Sequence, residues 1–274
     1  MWGVLNVTPD SFSDGGRYLD PAPAVDHAER MLAEGASVID IGGESSRPAG
    51  RTYGEGAVRV SAEEELCRVI PVLRELRRRT PAPISVDTVK GAVARAALAE
   101  GASIINDISG GSDPTLLRAV AEANADLVLM HNRGQGEVTA ANTAYGDVVE
   151  DVARELAAAA ARAIDAGVDG ARLLLDPGIG FAKTAEQSLR LLGALDRFVG
   201  MGRRVLVGAS RKSFIASVVP GPDGGPPAPQ ERLGGSLAAV VRAAVAGCHA
   251  VRVHDVYPSV QAVRVAEATL RWAG

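Results

Sequence analysis

The chain has 274 residues, 47% of them hydrophobic, enough for a sizeable core in one large domain or two small ones. Its 29 basic and 33 acidic residues leave a net charge of −4, which argues against a general nucleic-acid or anionic-membrane partner but leaves room for a local basic pocket. No apolar run approaches the about 20 residues of a membrane span, and no signal peptide precedes the first apolar run, so the cytoplasm is the default location. Cys67 and Cys248 stand outside any CxxC or Cys/His cluster and read as small buried hydrophobes in a reducing compartment, with no structural zinc site. Only three of the basic residues are lysines, Lys90, Lys183 and Lys212, and each lies just past an expected strand end.

The first expected strand is GVLNV, ending near Val7, and a polar, glycine-ended loop, TPDSFSDGG, follows it. A helix then sets Ala24, Val25, Ala28, Met31 and Leu32 on one face. LAEGASVIDIGGES (32–45) carries the second strand to about Ile41. Past a glycine-rich loop, Ser61 and Glu64 form a capping box for a helix with Leu66, Val69, Ile70, Leu73 and Leu76 on one face. Pro71 predicts a kink in that helix. ISVD ends the third strand near Asp87. LAEGASIINDISGGS (98–112), nearly a copy of 32–45, ends the fourth near Asp107. Asp113-Pro114 is a cap followed by a first-turn proline. Weaker copies end strands near Met130, Asp176, Gly208 and Val253; Thr184 and Gln187 form another capping box, and PGPDGGPPAPQ (220–230) reads as a loop. The spacing of about 35 residues suits a strand, a helix and two loops, and eight units favour a (β/α)8 TIM barrel over an open sheet. No composition shift marks a boundary, so residues 1–274 read as a single domain.

Chemistry in such a barrel sits at the C-terminal mouth of the strands. The residues there are Asn6, Asp40 with Glu44 to Arg47 beyond it, Asp87, Asn106 with Asp107, Met130 with His131, Asp176, Ser210 to Ser213, Arg252 and His254. For any single aspartate a cap or loop hydrogen bond is the favoured reading. Polar groups at nearly every strand end point instead to a pocket. Arg47, Arg211, Lys212, Arg252 and His254 are five potential cations suited to phosphate, and Asp87, Asn106 and Asp176 can read a flat heterocycle with adjacent N–H donors. His27 and His249 fall in helical or linker positions and read as structural.

NVTPDSFSDGG (6–16), IDIGGESSRP (39–48), SVDT (85–88), INDISGG (105–111), LMH (129–131), LDPGIGF (175–181), SRKS (210–213) and RVHDV (252–256) resemble, in order, the motif series of dihydropteroate synthases. The resemblance implies condensation of (7,8-dihydropterin-6-yl)methyl diphosphate with p-aminobenzoate, giving dihydropteroate and diphosphate in folate biosynthesis. It implies that Asp87, Asn106, Asp176, Lys212 and Arg252 hold the pterin, with Met130 and Phe181 lining its pocket. Ser46, Arg47 and His254 would hold the diphosphate, with magnesium on Asn6. Phe12, Pro48 and Ser213 would form the p-aminobenzoate site. Catalytic roles would fall to Lys212, Arg252, His254, Asp87 and Asp14, though Asp10 and Asp14 both remain open for the last of these. The resemblance also implies a homodimer and a sulfonamide target; Leu233 to Val245 and Val260 to Trp272 are apolar enough to supply an interface.

The opening stretch (6–16) and RPAGRTYGEGAVRVS (47–61) are expected to be mobile active-site loops. Four departures from the family pattern stand out: Ser46 for threonine, Ile179 and Ala182 in GIGFAK for GFGFGK, the long loop after Arg47, and Arg133 after LMH. The rivals are a pterin-dependent methyltransferase, which expels no diphosphate, a Schiff-base aldolase using Lys212, and a non-catalytic pterin-binding paralogue.

Overall fold

Each strand of this protein is only four or five residues long, so its period of two decides which side chains enter the barrel and which meet the helices. The computed structural model describes residues 1–7, 21–44, 60–134, 137–222 and 224–272. The expected loops 6–16 and 47–61 fall mostly outside these residues.

In chain order the elements are β1 (Trp2–Asn6), α1 (Ala22–Ala33), β2 (Val38–Gly42), α2 (Ala62–Arg79), β3 (Ile84–Asp87), α3 (Gly91–Ala99), β4 (Ile104–Asp107), α4 (Pro114–Ala123) and β5 (Asp126–Met130). There follow α5 (Val148–Asp165), β6 (Leu173–Asp176), α6 (Ala185–Gly193), α7 (Leu195–Val199), β7 (Arg204–Val207), α8 (Ser213–Val218), α9 (Leu233–Val245), β8 (Ala250–Val253) and α10 (Val256–Arg271). The strands pair in sequence order, all parallel, and β8 returns to β1 to close the barrel. This is the (β/α)8 TIM barrel expected from the repeat.

Two cores result from the alternation. Trp2, Val38, Ile104, Val128, Leu174, Leu206 and Ala250 fill the barrel interior as a layer of their own. The larger core lies between strands and helices, where Ile39, Ile41, Val86, Ile105, Leu127, Leu129 and Leu175 meet Val69, Leu73, Leu76, Leu116 and Val152. Below the interior layer, Asp126 at the start of β5 receives Arg172 at 3.2 Å and Arg204 at 2.9 Å. Above it, most of the next inward residues are polar: Asp40, Asp87, Asn106, Asp176 and Arg252.

The helix starts follow the capping chemistry. Ser61 Oγ accepts the amide of Glu64 at 3.2 Å, which is half of the expected capping box, since the Glu64 side chain pairs with Arg68 one turn on; Thr184 and Gln187 bond reciprocally. Asp113 accepts the Thr115 amide at 2.8 Å and, through its other oxygen, the Gly91 amide at 2.8 Å, so one carboxylate ties the starts of α3 and α4 together. α2 runs through Pro71 as one helix, because the proline lies on the exposed face, where water can meet the carbonyl it leaves unbonded. The same geometry corrects the reading of Cys67. It is exposed, because the buried stripe of α2 runs through Glu65, Val69, Val72, Leu73 and Leu76 and position 67 falls between its turns. Cys248 is half-buried, which pushes its thiol up to about 11 and keeps it protonated. His27 and His249 both lie at the surface. Among the described residues no helix is long and apolar enough to cross a membrane.

The start of α4 packs directly on Gly91 at the start of α3, where an added Cβ would lie 1.9 Å from Thr115 Oγ1 and 2.8 Å from the Leu116 amide. Backbone cannot yield as a flexible side chain does. Gly91→Ala is therefore expected to cost about 1–3 kcal/mol, read as a lowered urea midpoint. An unchanged midpoint would show that the two helices can separate freely.

Candidate active site

The residues above the interior layer, polar except for Met130, share the inward parity of the apolar residues two positions below them: Asp40 follows Val38, Asn106 follows Ile104, Met130 follows Val128, Asp176 follows Leu174, and Arg252 follows Ala250. Parity alone thus gathers them at one end of the barrel.

Arg252 organises this end. Its Nε donates to Asp40 Oδ2 and its Nη2 to Asp87 Oδ2 at 3.0 Å. Asp40 is fully buried, and the same oxygen also accepts from Asn106 Nδ2 at 3.2 Å. That bond turns the carboxamide of Asn106 so that its oxygen is left for the cavity. The second oxygen of Asp40 is buried without a hydrogen-bond partner. Burial pushes the Asp87 carboxyl up to about 7, against the pull of Arg252 and with a further push from Asp40.

Asp176 ends β6. Its Oδ1 accepts the Gly178 amide at 2.7 Å, while Oδ2 faces Gly208, whose missing side chain leaves the space above β7 open. Burial raises its pKa, and the Gly178 amide, Lys212 and Lys183 oppose that rise. Lys212 extends across the cavity with Nζ 3.8 Å from the centroid of the Phe181 ring. Burial and Arg252 pull Lys212 down to about 8, partly offset by Asp176 and Asp87. His254 Nδ1 lies 3.1 Å from Ser210 Oγ, which also accepts the His254 amide. Burial, Arg252 and Arg211 push His254 down to about 3, so its ring is neutral at pH 7.

One cavity therefore collects Asp87, Asn106, Met130, Asp176, Phe181, Lys212, Arg252 and His254, eight of the residues expected from the sequence, and Val4, Ile108, Gly208 and Ser210 complete its walls. Asn6 stands at its rim, with Oδ1 3.5 Å from where a Cβ on Gly42 would be. Ser213 opens α8 next to Lys212 and does not line the cavity. Phe12, Asp10, Asp14, Ser46, Arg47 and Pro48 lie outside the described residues.

Several expected rim residues turn elsewhere. Asp107, one step out of register with Asn106, caps the turn after β4 by accepting the amides of Ser109 and Gly111, each at 2.7 Å. His131, one step past Met130, faces α5 and meets Glu155. Arg211 is not a free cation for phosphate, because its guanidinium forks onto Asp255 at 3.0 and 2.6 Å. Glu44 pairs with Lys90, which also holds the buried Glu65. Two residues gain weight that sequence reading did not give them. Asp40 anchors Arg252 and Asn106, and its inward parity was the available signal. Lys183 is buried beneath the loop that follows β6. Ala182, beside it, takes φ +48°, a left-handed conformation costing an L-residue about 1–2 kcal/mol; this is a position where the family pattern has glycine.

Residues 2–254 match the family model described as pterin binding enzyme. The dihydropteroate synthase of Mycobacterium leprae (strain TN) is 46% identical over 272 residues, 98% of this chain and 92% of that protein. Among solved structures, the dihydropteroate synthase of Xanthomonas albilineans with 4-aminobenzoic acid superposes with a TM-score of 0.87 at 44% identity, over 98% of this chain and 92% of that one. The same enzyme in complex with 7,8-dihydropteroate gives a TM-score of 0.84 at 42% identity, over the same shares. With the barrel, the cavity and near-full-length similarity in agreement, the chain belongs to the pterin-binding enzyme family, within its dihydropteroate synthases.

Proposed function

We propose that residues 1–274 work as one catalytic unit that joins (7,8-dihydropterin-6-yl)methyl diphosphate to p-aminobenzoate, releasing diphosphate. The observation that carries this reading is the convergence of Asp87, Asn106 and Asp176 on one cavity that also holds Lys212 and Arg252. A carboxylate facing an aminopyrimidinone edge accepts two parallel hydrogen bonds, and Asp176, with one oxygen turned toward the open space at Gly208, is the residue for that role. Asn106 and Asp87 extend the polar edge. Arg252 is held flat by its two carboxylates and gives the ring a planar neighbour, while Lys212 supplies a charge against an acceptor of the pterin.

The reaction breaks the bond from the pterin methylene carbon to oxygen, and the electron pair leaves with diphosphate. The dihydropterin ring delocalises the cation left behind, the arylamine nitrogen bonds to the carbon, and that nitrogen then gives up a proton to solvent. An arylamine is neutral and nucleophilic at pH 7, so the site needs no strong base. What it must supply is preorganised stabilisation of the leaving group. With Ser210 Oγ donating to Nδ1, the neutral ring of His254 carries its proton on Nε2 and offers an N–H to the departing oxygens. Ser46 and Arg47 belong to the same role in this proposal, and Phe12, Pro48 and Ser213 to the p-aminobenzoate side, with Asp14 or Asp10 close to the developing cation.

A magnesium ion fits as a companion of the substrate. Asn6 offers one hard oxygen at the rim, and among the described residues no group of three His, Cys, Asp or Glu side chains could hold a metal by itself. Magnesium is characteristically held by one or two protein oxygens plus phosphate and water, and when bound it would neutralise charge on the leaving diphosphate. The faces of α9 and α10 leave Val245, Tyr257, Val265 and Leu270 exposed, which supports a homodimer formed there. Sulfonamide inhibition, through mimicry of p-aminobenzoate, belongs to the same proposal.

Asp176→Asn turns a donor toward N–H groups and is expected to weaken binding of the pterin diphosphate at least about a hundredfold by calorimetry. Unchanged affinity would remove Asp176 from the pocket reading. Turnover should vanish in excess chelator and return with magnesium, and Asn6→Ala should raise the magnesium needed for half-maximal rate about tenfold. Full turnover in chelator would rule out the metal. Release of diphosphate from the pterin substrate, followed with and without p-aminobenzoate, separates catalysis from mere pterin binding.

A further inference from the structure

Behind the cavity, on the outer side of β5 and β6, lies a chain of polar contacts among side chains that do not line it. Lys183 Nζ, whose pKa burial pulls down to about 7, has three acceptors in range and can donate to them as amine or ammonium: Phe181 O at 2.9 Å, His131 Nδ1 at 2.9 Å and His131 O at 3.5 Å. Since Lys183 donates to Nδ1, the ring proton of His131 sits on Nε2, 2.9 Å from Glu155 Oε2 on α5. Glu155 also receives the guanidinium of Arg133, which stacks over the Tyr145 ring at 3.9 Å. Tyr145 Oη in turn donates to Ala182 O at 3.1 Å. The contacts leave the loop at Lys183 and return to it at the adjacent residue, Ala182.

This closed circuit grips the segment whose other side forms the cavity. The His131 amide donates to Asp176 O at 2.8 Å, and at Gly178, with φ +66°, a Cβ would lie 2.0 Å from His131 O. Phe181, one of the carbonyls held by Lys183, carries the ring beneath Lys212. Ala182 stays in its left-handed conformation because contacts on both sides determine it. Lys183 and His131 are both buried, and neither lines the cavity.

We propose that His131 and Lys183 form a positioning pair that sets the Asp176–Lys183 loop, and with it Asp176 and Phe181, for pterin binding. Burial favours a neutral His131 ring, as the hydrogen-bond pattern requires. The pair acts through the loop and touches no reacting atom. The proposal rests on the reading of the cavity as the pterin site, and its test keeps the two apart.

The full chain is compared as wild type, Asp176→Asn, His131→Leu, His131→Gln, Lys183→Met and Tyr145→Phe. Affinity for the pterin diphosphate is measured by calorimetry, KM for p-aminobenzoate at saturating pterin, and thermal midpoint for each. His131→Leu and Lys183→Met are expected to weaken pterin binding about tenfold or more, with KM for p-aminobenzoate within about threefold of wild type. Glutamine keeps an acceptor for Lys183 and a donor for Glu155, so His131→Gln should recover pterin affinity to within about threefold. Where His131→Leu or Lys183→Met does not fold, Tyr145→Phe, which removes only the hydroxyl bond to Ala182, carries the test with a loss of about threefold confined to the pterin. Unaltered pterin affinity in these variants, beside a weakened Asp176→Asn, overturns the positioning role alone. Equal losses for both substrates, tracking the thermal midpoint, reduce the pair to general stability and overturn it as well. Normal binding by Asp176→Asn, or none by wild type, overturns the pocket reading and this inference with it.

Discussion

The barrel mouth depends on one guanidinium. Arg252, from the last strand, sits between Asp40 of the second and Asp87 of the third, and Asp40 also fixes Asn106 of the fourth. An isolated carboxylate at the depth of Asp40 would be prohibitively costly, and two carboxylates facing one another would be worse. The bridging cation makes both tolerable, so the interior can change from the apolar layer of Trp2, Val38 and Ile104 to a polar floor within one residue pair per strand. Removing Arg252 would leave two buried carboxyls with no cation between them, so the same interaction that ties β8 to β2 and β3 also presents acceptors to a ligand.

The described rim is less cationic than its residue names suggest. Arg211 is engaged by Asp255, and His254 is held neutral by burial and by the cations around it. Lys212 shares its cavity with Asp176 and Asp87, and Arg252 is matched by its two carboxylates. A site arranged this way meets a leaving diphosphate with directed N–H groups and local fields, whose strength comes from position in a low-dielectric mouth and not from net charge.

Much of this was legible in the sequence, and the exceptions share a cause. The repeat of about 35 residues gave eight strands, whose expected ends at Val7, Ile41 and Gly208 lie one residue from the observed Asn6, Gly42 and Val207. The pocket residues followed from strand ends. Residue type marks the rim as polar but carries no parity: Asn106 and Asp107 are neighbours, yet they occupy opposite sides of the barrel wall. Cys67 failed for the analogous reason on a helix, where composition says buried and the 3.6-residue period says exposed. Lys183 was conspicuous as one of three lysines, but its partner His131 is 52 residues away, and only folding brings them together.

Parity also explains how a rim built from short strands can be rigid. At two strand ends, and again in the turn after β7, a residue on the cavity side is followed by one that faces the loop. Asn106 is followed by Asp107, which pins the turn carrying Ile108 into the cavity wall. Met130 is followed by His131, which grips the loop after β6. Ser210, against His254, is followed by Arg211, whose ion pair with Asp255 fixes the approach to Lys212. Adjacent positions thereby divide two tasks, contact and support, that the same backbone step would otherwise set in conflict. The arrangement gives each inward group a scaffold drawn from its own sequence neighbour. A polar residue just after an inward-facing one at a barrel rim is then read first as the support of a loop, and only second as a ligand.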